Sequence, residues 1–129
     1  MAIQECVPKD KFDVEAIERA HSVGFPDLNP LIPELLEFVQ DANWPVAVPS
    51  STLLSLAGPE IVPFVRDVLR SDDGMWKYWT IELVVKNLPT GVRAALSADL
   101  AQLVDAPAQD DIANEADKAA ARILAGMGA

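Results

Sequence analysis

Side chains able to do chemistry are few in this chain. His21 is the only histidine and Cys6 the only cysteine. One of each makes neither a disulfide nor a zinc set, and a His-based nucleophilic triad would have to be built on His21 alone. His21 falls near a helix C-terminus, where the dipole favours a cation. Carboxylates are the plentiful group. Asp72-Asp73 and Asp110-Asp111 are adjacent pairs that could bind a hard cation or divide acid and base roles. Each pair also sits at an expected helix N-terminus, where Asp accepts orphan N–H groups, and capping explains both pairs. No phosphate-cradling glycine loop and no EF-hand pattern is present. The expectation is a chain with no catalytic residue, no cofactor and no metal; an enzyme with a carboxylate-only site is the competing class.

The aromatic set points to binding instead. Trp44 and Trp76 each follow an acidic turn, Asp41 before one and Asp72-Asp73 before the other. They open what read as equivalent helices, either as repeat-defining core or as exposed hot spots beside carboxylates. Lys77 and Tyr78, at no repeated position, are expected as exposed contacts. With Glu34 and Glu37, these residues form the candidate partner surface: Glu34, Glu37, Asp41, Trp44, Asp72, Asp73, Trp76, Lys77 and Tyr78.

Helices must position them. Leu31, Leu35, Phe38 and Val39 form one apolar stripe; Ile61, Val65, Val68 and Leu69 repeat its spacing, and Leu96, Leu100, Leu103 and Val104 repeat it again. Pro33 and Pro63 stand in the opening turns of the first two copies, where a missing N–H costs little. Seven helices are expected: about Asp13 to His21, Asn29 to Asp41, Pro45 to Ala57, Glu60 to Leu69, Met75 to Leu88, Thr90 to Val104 and Asp110 to Ala125. Pro49 makes the start of the third uncertain. The second and third, fourth and fifth, and sixth and seventh pair up, after one N-terminal helix. The fifth carries Trp76, Tyr78, Trp79, Ile81, Leu83, Val84, Val85 and Leu88 around nearly its whole circumference, so it belongs in the middle. The last places Ile112, Ala116, Ala119, Ala120 and Ile123 on one face, as a terminal cap does. The fold class is an all-α solenoid of about three helix pairs, one domain over residues 1–129.

Charge and composition bound the rest. Half of the residues are hydrophobic, enough to bury a core. The net charge is −10, from 20 acidic and 10 basic residues. Residues 20–65 and 94–117 hold no Lys or Arg but several carboxylates. Such a surface repels phosphate, which argues against nucleic acid and anionic membranes and steers a basic protein inward. The N-terminal residues lack a signal-peptide pattern, and no apolar run reaches the roughly 20 residues of a membrane span, so a cytoplasmic location is expected.

Longer stretches carry a resemblance. Pro8 to Asp13, Leu35 to Ala47 with its NWPVA segment, Val62-Pro63, Ser71 to Asp73 and Trp76-Lys77-Tyr78-Trp79 resemble a bacterial family, domain of unknown function 5071. Pro49 departs from its pattern. The resemblance implies a HEAT-like α-solenoid fold and a habit of protein binding, with no activity to carry over. The function expected is a non-enzymatic protein-binding module, such as an immunity protein holding a basic toxin. A scaffold or accessory subunit of an intracellular assembly is the alternative.

Overall fold

The computed structural model describes residues 2–127, and all regular structure among them is helical. A 3-10 turn over Ile3–Cys6 precedes α1 (Val14–Val23). Next come α2 (Ile32–Leu36), α3 (Ala47–Leu54), α4 (Val62–Leu69) and α5 (Gly74–Leu83). The C-terminal third holds α6 (Thr90–Ala94), α7 (Ser97–Asp105), α8 (Gln109–Ala113) and α9 (Ala116–Gly126). Short 3-10 turns extend α2 on both sides, over Asn29–Leu31 and Glu37–Val39, and α4 at its start, over Pro59–Ile61. In both α2 and α4 a proline occupies the opening turn, preset in φ and spared an N–H it could not use.

The three apolar stripes face one core. Leu31, Leu35, Val39, Ile61, Val65, Val68, Leu69, Leu96, Leu100 and Leu103 are all buried. Phe38 is half-buried, and Val104 faces solvent. One buried cluster runs from Cys6 to Ile123. The order of packing is α1 on α3, α3 on α2, and α2 on α4. Helix α5 touches α3, α4, α8 and α9, and α9 also lies along α7. The helix that is apolar nearly all round is thus the central one, because only a multiply contacted site buries such a surface. Its flank is less enclosed than its sequence suggests: Ile81 and Val84 are fully buried, whereas Trp76, Tyr78, Trp79 and Leu83 are half-buried against the core.

Four expected helices are broken. The second is α-helical only over Ile32–Leu36, between its two 3-10 turns. The fifth stops being α-helical at Leu83, and a 3-10 turn over Val85–Asn87 follows. The sixth divides at Ala95-Leu96, where Arg66 Nη2 donates to the Ala95 carbonyl at 3.2 Å and takes an acceptor the helix would use. The seventh divides at Asn114-Glu115. There the Asn114 side-chain amide donates to the Asp110 carbonyl, and Glu115 adopts a left-handed φ of 62°. This break turns Ile112 out to solvent, away from the face of Ala116, Ala119, Ala120 and Ile123 where uninterrupted periodicity puts it.

Candidate binding surfaces

Helices α2 and α4 each present the same spacing to a shared groove. Pro33, Leu36 and Glu37 come from one, Phe64, Asp67 and Val68 from the other, in both cases at i, i+3 and i+4. Trp76, from the first turn of α5, completes a groove of about 220 Å³. One hydrogen bond holds its indole and a second holds its backbone. Nε1–H donates to the Leu36 carbonyl at 2.9 Å, and the main-chain N–H donates to Asp73 Oδ1 at 3.0 Å, which caps α5. The groove is apolar inside, and Glu37 and Asp67 are exposed at its walls. Glu34 is half-buried and accepts Gln4 Nε2 at 2.9 Å.

A second concavity, of about 740 Å³, separates α4 and its C-terminal turn from α7 and α8. It is zwitterionic. Asp99 accepts Arg66 Nε at 2.9 Å on one oxygen and Arg70 Nε at 3.2 Å on the other. Deeper, Lys77 Nζ meets Asp111 Oδ1 at 2.8 Å. Asp111 Oδ2 accepts the Ala108 N–H at 2.9 Å, so one carboxylate closes its own helix start and neutralises a buried ammonium. Asp72 stands exposed on the wall.

Several sequence expectations change here. Lys77 is a core residue, 5% exposed, because α8 brings Asp111 over α5. Tyr78 is half-buried, its ring edge-on to Trp79 with centroids 4.8 Å apart. Asp110 caps a helix, but a different one: Oδ2 accepts the Gly74 N–H of α5 at 2.7 Å. The two tryptophan turns are not equivalent. Asp73 caps α5, while Asp41 Oδ1 accepts the Asn43 N–H two residues on, and Trp44 stays in the loop before α3. Trp44 and Asp41 do not line the groove. The acidic stretch 94–117 is not one unscreened negative edge. Cations from the middle of the chain fold over it, Arg66 and Arg70 onto Asp99 and Lys77 onto Asp111.

Phe64 and Asp67 went unremarked in sequence, although their spacing matches Pro33, Leu36 and Glu37 in two proline-opened helices. The Arg66–Asp99 and Lys77–Asp111 pairs span 33 and 34 residues and carry no local signal. Elsewhere, the Lys9 N–H donating to Asp13 is the main cause holding that carboxyl below its ordinary range. The hydrogen bond to Glu82 raises the Arg122 guanidinium. Among the described residues, no three His, Cys, Asp or Glu side chains converge as a metal-ligand set. No helix among them is long and apolar enough to cross a membrane.

No curated protein matches the chain. A family model does, over residues 6–124, and the chain belongs to that family, the Domain of unknown function (DUF5071).

Proposed function

We propose that this chain is a HEAT-like helical-repeat module that binds a basic protein and has no catalytic role of its own, with an immunity-type inhibitor of a basic toxin as its form. The observation that carries the reading is the groove between α2 and α4. A fixed indole and Phe64 offer an apolar seat, and Glu37 and Asp67 offer opposite charge at its walls. An Arg or Lys side chain from a partner fits that chemistry, its stem on the rings and its head between carboxylates. The net charge of −10 adds long-range attraction for a cationic partner. The repeat reading rests on two helices that open with proline and carry the same apolar stripe, Leu31, Leu35 and Val39 in one and Ile61, Val65 and Leu69 in the other, with α2 packed on α3 and α4 on α5. The non-enzymatic reading is supported by the employment of the central carboxylates: Asp99, Asp110 and Asp111 each hold a structural partner.

The test is affinity capture of a stoichiometric basic partner, followed by association kinetics. Glu37→Lys with Asp67→Lys should slow association about tenfold at low salt while leaving dissociation less affected. The difference should collapse at 1 M salt, where the Debye length is about 3 Å. Association that ignores both the reversal and the salt refutes the groove as the docking site.

A further inference from the structure

The far end of α5 has the opposite electrostatic character from its Trp76 end. A cavity of about 210 Å³ is lined there by Glu82, Lys86, Arg93, Arg122, Ile123 and Gly126. Three of the chain's ten basic residues therefore meet at one small concavity with a single carboxylate among them. That carboxylate is spent. Glu82 Oε1 accepts Arg122 Nη2 at 2.7 Å. Lys86 and Arg93 have no carboxylate partner among the described residues.

Arg93 is the informative side chain. Its Nη1 donates to the Lys86 carbonyl at 3.1 Å, which fixes the guanidinium plane against the main chain. Its Nε is shielded from solvent and has no hydrogen-bond partner. A guanidinium that has lost water at one donor without gaining an acceptor keeps a charge that is under-compensated. Cations at helix C-termini ordinarily serve the last carbonyls, and the Nη1 bond does this. That role needs one cation, not three around a cavity. In a chain of net charge −10, a pocket with two uncompensated cations is a place where an anion is locally favoured.

We propose that this cavity is an anion site that takes a phosphate group, free or as a monoester. Two uncompensated cations match a dianion. The planar Arg93 and Arg122 forks match tetrahedral oxygens, and Lys86 adds an exposed point charge to the lining. Ile123 and Gly126 give the remaining wall no competing charge. The site lies away from the α2–α4 groove and does not depend on what that groove binds.

The experiment is titration of the full chain with inorganic phosphate at constant ionic strength, followed by calorimetry and by phosphorus NMR. O-phosphoserine and acetate are run as parallel arms. A saturable phosphate signal is expected, weakened about tenfold or more by Arg93→Gln and about twofold to fivefold by Lys86→Gln. Thr52→Ala, exposed on α3 and lining neither groove, should leave it unchanged. Lys86 is exposed, so its variant reads out even if Arg93→Gln perturbs folding. Phosphoserine binding as tightly as phosphate places the ligand as a monoester; weaker binding places it as the free ion. Absence of saturation, acetate binding as tightly as phosphate, or phosphate binding untouched by Lys86→Gln and by a folded Arg93→Gln overturns the proposal.

Discussion

The Lys77–Asp111 pair is where one substitution tests the most of this fold. Both side chains are almost fully buried, 6% and 4% exposed, at 2.8 Å. At that separation and an effective dielectric of about 20, their direct attraction is about 6 kcal/mol. Desolvation of both ions offsets most of it, so the pair adds little net stability compared with an apolar replacement. Breaking it is a different matter. Lys77→Met keeps the buried stem at nearly the same volume and leaves Asp111 with the Ala108 N–H but no counter-ion. The expected cost is about 3–5 kcal/mol, at the lower end because both groups line a solvent-accessible cleft. For a chain of this length that lowers the melting temperature by about 10–15 °C. Lys77→Met with Asp111→Asn should recover about half of the loss, since the carboxamide can still accept the Ala108 N–H and no lone charge remains. Urea melts of the wild type, both single variants and the double variant close the cycle. If Lys77→Met costs under about 1 kcal/mol and the coupling is near zero, the pair behaves as a hydrated surface bridge, and the packing of α8 on α5 described above is wrong.

Three further outcomes are expected. Gly74→Ala puts a Cβ into the Asp110 carbonyl oxygen, so it should destabilise by about 1–3 kcal/mol, where the same change at Gly91, which meets no neighbour, should be neutral or stabilising by denaturant melts. Leu35→Ala, at a fully buried position, should cost about 2–5 kcal/mol, and Leu83→Ala, half-buried on the flank of α5, should cost less; equal losses would contradict the burial described. The Asp13 carboxyl should titrate below the ordinary carboxylate range by carbon NMR, mainly through the Lys9 N–H. Its contribution to stability is therefore present above the unfolded-state value and is lost as pH falls through the depressed folded value; Asp13→Asn should flatten that part of the acid melt, and an unshifted titration refutes the assignment.

The sequence by itself determined that the chain is all-helical and which faces most of its helices bury. Leu35, Val65 and Leu100 are buried because the 3.6-residue period of an apolar stripe is a local property, and a helix with such a stripe has one face to hide. It also marked α5 as central, since Trp76, Tyr78, Trp79 and Ile81 on more than one side of a helix require neighbours on more than one side. Proline at position 33 and at position 63 announced helix starts for the same local reason. What the sequence left open lies in contacts between distant segments. Lys77 reads as a solvent contact until α8 lays Asp111 across it. Asp110 reads as the cap of its own helix until Gly74 presents an N–H to it, and the helix breaks beside Ala95 and Asn114 depend on which donor reaches a carbonyl first. The grooves belong to the same category. Glu37 and Trp76, or Lys86, Arg93 and Arg122, become sites only when packing brings separate helices to one concavity, because charge and burial act through space and leave no periodic trace along the chain.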